Sequence, residues 1–152
     1  MKNTNHAVLF SLGKELFGVS VENVLRVISV EKVFNIPKAP AFIAGAINLE
    51  GSVLPVVNLS RKIDLAETQL SDHSKIVVLD VAHDDEHVQV GVLIDDVLDV
   101  VIIEPSRMLP APLENLGFDA QILSGMYKVD DDFYMILNVK AVFEKELAAV
   151  IQ

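Results

Sequence analysis

Five clusters of polar residues in this chain have types and spacings that could do chemistry. His83-Asp84-Asp85-Glu86-His87 sets two imidazoles four residues apart among three carboxylates, a spacing that makes a zinc site when it falls on one helical face. Asp130-Asp131-Asp132 offers three adjacent carboxylates, but it lacks the glycine and the distal glutamate of a calcium loop. Asp95, Asp96 and Asp99 could be read as paired carboxylates for acid-base work. Nothing near them supplies a nucleophile, an oxyanion donor or a cofactor loop. Gly13-Lys14 has no upstream glycine to make a phosphate loop, and no Gly-x-Ser-x-Gly nucleophile turn occurs. Asn58-Leu59-Ser60 matches a glycosylation acceptor and equally a helix cap.

The elements that would have to position these groups argue against catalysis. His83 to His87 falls between two apolar β-rich runs, Ile76 to Val81 and Val88 to Ile94, so it reads as a solvated hairpin turn. Asp130 to Asp132 likewise separates Ile122 to Val129 from Phe133 to Leu137. No enzymatic activity, cofactor or metal is expected. Cysteine is absent, which removes disulfides and thiolate chemistry together.

The same alternation of apolar runs and turns recurs along the chain. Val8 to Leu12, Gly13-Lys14-Glu15 and Leu16 to Val21 describe a hairpin. In Glu22 to Ile28, Val24, Val27 and Ile28 stand at i, i+3 and i+4, which predicts a short helix. After Pro37 and Pro40 comes a second hairpin, Phe42 to Leu49 and Val53 to Val57 around Glu50-Gly51. It ends at Asn58, expected to cap a helix over Leu59 to Leu65. A terminal helix is expected from Asn138 to about Val150.

Two ungapped internal alignments tie the halves together. Gly45 to Asn58 lies over Gly125 to Asn138, and Phe17 to Ile28 lies over Val90 to Val101, so that Val24 meets Val97 and Val27 meets Val100. The expected organisation is one domain with pseudo-duplicated halves, roughly 7–65 and 75–150. The fold class is mainly β: two small barrels sharing a core, with short helices and a C-terminal helix. The paired valines are default core positions whose recurrence raises a shared apolar binding strip.

Bulk properties narrow the partners. The 152 residues carry 22 acidic and 12 basic side chains, a formal charge of -10, which disfavours nucleic acid. Met1 to His6 is too poor in charge and too short of an apolar run to read as a signal peptide. No apolar stretch approaches the ~20 residues that cross a bilayer. A cytoplasmic protein without direct membrane insertion is expected.

Pro40 to Leu59, with its glycines, Asn48-Leu49, Pro55 and closing Asn58-Leu59 in step, resembles the signature of CheW-like domains. The likeness extends through Phe17-Gly18-Val19, Gly91 to Asp95 and Ile136 to Val139. The resemblance implies two five-stranded barrels. It also implies a scaffold that couples the cytoplasmic tip of a methyl-accepting chemoreceptor to the regulatory domain of a CheA-type histidine kinase. By match to the family's receptor-binding positions, it points to Val24, Arg26, Gly45, Glu50, Val97 and Val100. Family members usually carry arginine where this chain has Glu50, and commonly an acidic residue where it has Arg26. An Arg26–Glu50 pair with exchanged charges is therefore expected across the groove. With no kinase or receiver domain attached, a stand-alone adaptor is favoured over CheA or CheV. The alternatives are an adaptor of another chemosensory or motility pathway and, as an outsider, a small-ligand or metal-binding barrel.

Overall fold

The structure, a computed structural model, describes residues 5–143 apart from 31, 41, 63–72, 84 and 111–121. It is built almost entirely of strands: β1 (His6–Leu12), β2 (Glu15–Ser20), β3 (Val24–Ser29), β4 (Ile43–Leu49), β5 (Ser52–Asn58), β6 (Lys75–His83), β7 (Glu86–Ile94), β8 (Asp96–Ile102), β9 (Leu123–Val129) and β10 (Asp132–Leu137). One short helix, α1 (Leu59–Lys62), follows β5, and a terminal helix is described over residues 139–143. The predicted residues 63–65 and 144–150 of these helices lie outside the described residues.

The strands form two five-stranded sheets in the orders β8-β1-β2-β10-β9 and β3-β6-β7-β5-β4. Adding five to each strand number of the second order, and counting past ten from one again, gives the first. Each sheet therefore mixes the sequence halves. The hairpin β1-β2 joins β8, β9 and β10, while β6-β7 joins β3, β4 and β5, and the joins β2-β10 and β5-β7 are parallel.

Both sheets are closed at one point by the chain leaving their edge strand. After β3, Phe34 exchanges two backbone hydrogen bonds with Ala46 of β4, at 2.7 and 2.8 Å. After β8, Leu109 does the same with Met126 of β9, at 2.9 and 2.8 Å. Glycine precedes the partner each time because the incoming backbone needs the space. A Cβ on Gly45 would lie 2.3 Å from the Phe34 carbonyl oxygen, and one on Gly125 2.7 Å from that of Leu109. Gly45 also has φ +153°, a conformation costly for any other residue.

Strand alternation divides the apolar residues among three cores. From β1, Val8, Phe10 and Leu12 face the shared core between the sheets, with Phe17 and Val19 of β2, Val77 and Leu79 of β6, and Val139, Val142 and Phe143 of the terminal helix. On the other face, Leu9 joins Tyr127, Tyr134 and Ile136 inside the first barrel. Ile47, Leu54, Ile76 and Val78 fill the second. The shared core is filled, leaving a void of only about 10 Å³.

Two predicted features differ. Glu22 to Ile28 is not a helix. A 3-10 turn over Val21–Asn23, begun by the Ser20 hydroxyl accepting from the Glu22 N–H, leads directly into strand β3. The spacing of Val24, Val27 and Ile28 imitates a helical face because β3 carries an extra residue, Leu25, between the paired positions Val24 and Arg26. Strand β8 has the same bulge at Leu98. The Asn58 cap is also not formed. Asn58 stays in β5, paired with Leu93, so its side chain is buried with the strand and its Oδ1 accepts no hydrogen bond. Asn138, one residue beyond β10, does cap, its Oδ1 accepting from the Ala141 N–H at 3.2 Å.

Candidate protein-binding site

Strand β3 positions the first half of the site. Beyond the bulge, Arg26 points to the same side as Ile28, toward the inside of the second barrel, while Leu25 and Val27 face outward and are exposed. Opposite stands the β4-β5 turn. Glu50 and Gly51 both take left-handed conformations, with φ +52° and +88°, the geometry of a tight hairpin turn, and Asn48 Oδ1 accepts the Gly51 N–H at 3.0 Å. This holds Glu50 toward β3, and Arg26 Nη2 donates to Glu50 Oε1 at 3.2 Å. The pair is exposed, the side chains retaining 46% and 72% of their free surface. Beneath it lies a groove of about 670 Å³ at the barrel's mouth, floored by Leu54 and Val78 and edged by His87 and Gln89.

The remaining family positions are not gathered around this pair. Val24 and Val97, equivalent in the two sheets, are half-buried against the shared core. Val100 is 52% exposed on the edge strand β8, in an outward row with Leu98 and Ile102. Gly45 is buried and serves barrel closure. The extra residue at each bulge keeps Val24 with Val27 and Val97 with Val100 on one face of their strand, the first of each pair half-buried against the shared core and the second exposed. Leu25, Leu98 and Ile102 complete the apolar rows. The internal alignment contained Leu25 and Leu98, but a helical period hid the face they share with Val27 and Val100.

The other polar clusters take structural places. His87 Nδ1 lies 3.0 Å from Asp80 Oδ2 across the β6-β7 hairpin. Among the described residues, no three His, Asp or Glu side chains are grouped to hold a metal ion. Asp95 is not simply a solvent-facing residue, since its Oδ2 accepts the Gly13 N–H at 2.5 Å and steadies the β1-β2 turn. Tyr134, buried inside the first barrel, has its phenol held above the ordinary value by burial first and then by Asp132, Asp99 and Asp130. Among the described residues no helix is long and apolar enough to cross a membrane.

Mixed barrels sharing a core, with glycine-dependent closures and bulged edge strands, define a small all-β scaffold. The family model for the CheW-like domain matches residues 6–147, and the chain belongs to that family, a family of chemotaxis scaffolds and adaptors. The chain is similar to the chemotaxis protein CheW of Treponema pallidum (strain Nichols), 28% identical over 92% of this chain and 83% of that one. The chemotaxis protein CheW of Bacillus subtilis (strain 168) is 26% identical over 96% and 91%. Among solved structures, the scaffolding protein TtCheW of Thermoanaerobacter tengcongensis superimposes with a TM-score of 0.82 at 27% identity, covering 94% of this chain and 90% of that one.

Proposed function

We propose that this chain is a non-enzymatic cytoplasmic adaptor that couples chemoreceptor tips to the regulatory domain of a CheA-type histidine kinase. The observation that carries the reading is the exposed apolar row on each bulged edge strand, Leu25 and Val27 on β3 and Leu98, Val100 and Ile102 on β8. A receptor tip is a helical hairpin, and an apolar strip flanked by charged side chains suits a helix. Arg26 and Glu50 set the charge pattern beside the β3 row and act in partner choice more than in affinity. Val24, Gly45 and Val97 act through the scaffold, by holding the strands that present these rows.

The test is titration calorimetry with the purified CheA-type regulatory domain and a receptor-tip fragment from the same cell. Saturable association on the order of micromolar with both is expected. Binding to neither would overturn the reading. A second reading is an adaptor of another chemosensory or motility pathway. It is supported by similarity to a relative not named CheW, Protein FrzA of Myxococcus xanthus, 33% identical over 68% of this chain and 62% of that protein. Binding to the kinase domain of that pathway in preference to the chemotaxis kinase would select it.

A further inference from the structure

The strands of the first barrel end together on the side away from its β1-β2 and β9-β10 turns. There His6 opens β1 opposite Ile102 of β8, Ser20 closes β2, and Leu137 closes β10 opposite Leu123. A cleft of about 450 Å³ lies among these ends. That volume falls within the roughly 300 to 1,000 Å³ of small-molecule sites. The buried part of its lining is apolar, from Ala7, Ile136, Leu137 and Val139, with Ile103 and Met108 half-buried beside them. Its more accessible part is polar and includes His6, Asn23, Ser124 and Lys140.

The other half of the chain covers the corresponding place. Continuing the ungapped alignment, Asn58 and Ser60 correspond to Asn138 and Lys140. The backbones agree, since the Asn58 N–H donates to the Phe42 carbonyl at 2.7 Å and the Asn138 N–H to that of the aligned Ile122 at 2.6 Å. Yet Asn58 and Ser60 are only 5% and 1% exposed, whereas Asn138 and Lys140 are open to solvent.

We propose that this cleft binds a small organic carboxylate, its charge held by Lys140 and His6 and its apolar body laid on the buried lining.

Two further observations carry the assignment. The side chains of His6, Asn23, Ser124 and Lys140 make no hydrogen bond or ion pair among the described residues, so four polar groups converge on one cleft without partners. None of the described residues lining the cleft is acidic, in a chain with 22 acidic side chains against 12 basic ones. Glu104, next to the lining residue Pro105, is engaged by Arg107 at 3.3 Å. Lysine, imidazole, amide and hydroxyl donors together satisfy the oxygens of a carboxylate. Lys140 is the one fixed cation among the lining residues, which balances a single negative charge and leaves the second charge of a phosphate unmatched.

The test is NMR on the labelled full-length protein titrated with hexanoate, with hexanol, hexylamine and hexyl phosphate beside it. Hexanoate should give saturable shifts centred on His6, Asn23, Ser124 and Lys140, with a dissociation constant on the order of millimolar for so small a ligand. Hexanol should bind about tenfold more weakly, hexyl phosphate no more tightly than hexanoate, and hexylamine not at all. Lys140→Gln, at an exposed position, should weaken hexanoate binding by about tenfold. Ser124→Asp, exposed on a different element, should abolish it by setting a carboxylate in the cleft. An unchanged amide spectrum away from the cleft shows that each variant is folded. The proposal is overturned if hexanol or hexylamine matches hexanoate, if hexyl phosphate binds more tightly, if the hexanoate shifts do not saturate, or if either variant binds hexanoate as the unaltered protein does. The outcome is independent of kinase and receptor binding, which are measured with separate partners.

Discussion

Arg26 and Glu50 are 24 residues apart in sequence and 3.2 Å apart in space, and their contact spans the mouth of a barrel between the edge strand β3 and the β4-β5 turn. Because both side chains are exposed, the contact contributes only about 0.2 to 1 kcal/mol to stability. Its weight falls on recognition. Arg26→Glu and Glu50→Arg alone should each weaken receptor-tip binding, and the double exchange should recover part of the loss. Calorimetry on all four proteins checks this, and strictly additive losses would exclude coupling.

Barrel closure predicts an ordering of two glycine substitutions. Gly45→Ala meets a backbone carbonyl at 2.3 Å and a disfavoured φ, so it should cost about 3 kcal/mol. Gly125→Ala meets a carbonyl at 2.7 Å without that conformational penalty and should cost about 1 to 2 kcal/mol. Urea unfolding of both variants measures the difference, and equal costs would show that crowding by the closing segment is not the cause.

The two valines of β8 should behave differently. Val97→Ala removes a contact with the shared core and should lose about 1 kcal/mol, whereas Val100→Ala should stay within about 0.5 kcal/mol. Val100→Asp should leave the melting temperature nearly unchanged and weaken receptor-tip binding. A folded Val100→Asp protein that binds normally would remove β8 from the interface.

Capping gives a further test. Asn138→Ala leaves the Ala141 N–H without its acceptor and should cost about 1 kcal/mol, with Asn138→Asp restoring most of it. Thermal unfolding of the two variants distinguishes this cap from a generic effect of shortening the side chain.

Tyr134 sets an alkaline limit. Its phenol is raised above the ordinary 10.0 in the folded state, so the unfolded chain releases this proton first as pH rises. The contribution is fully present below about pH 9 and is lost as pH climbs through 10 toward the folded value. Tyr134→Phe should flatten that part of the stability profile, and Asp99→Asn should lessen its slope. An unchanged profile in Tyr134→Phe would assign the alkaline loss elsewhere.

The hairpins were legible in the sequence because each has a local cause. Gly13, Glu50-Gly51 and Asp130-Asp131 break apolar alternation at positions where the backbone turns. The internal repeat was legible for the same reason, with Gly45 and Gly125 in step and a backbone closing beside each. What was hidden depends on distant neighbours. The bulges at Leu25 and Leu98 exist only against β6 and β1, and by adding one residue they turn a strand pattern into an apparent helical one. Asn58 and Asn138 align in sequence, yet pairing with Leu93 keeps the first in its strand. The Arg26–Glu50 contact was legible from the exchanged charges at the two positions.

The exchange of hairpins between the sheets also fixes the order in which the chain can be completed. As it leaves the ribosome, β3, β4 and β5 have no sheet to join until β6 and β7 follow, and β1-β2 must wait for β10, whose last residue is Leu137. The earliest hairpin made is among the last to be enclosed. Cutting the chain between the halves should therefore yield two fragments that are each unfolded alone and fold only on meeting, since each holds the strands that the other's sheet lacks.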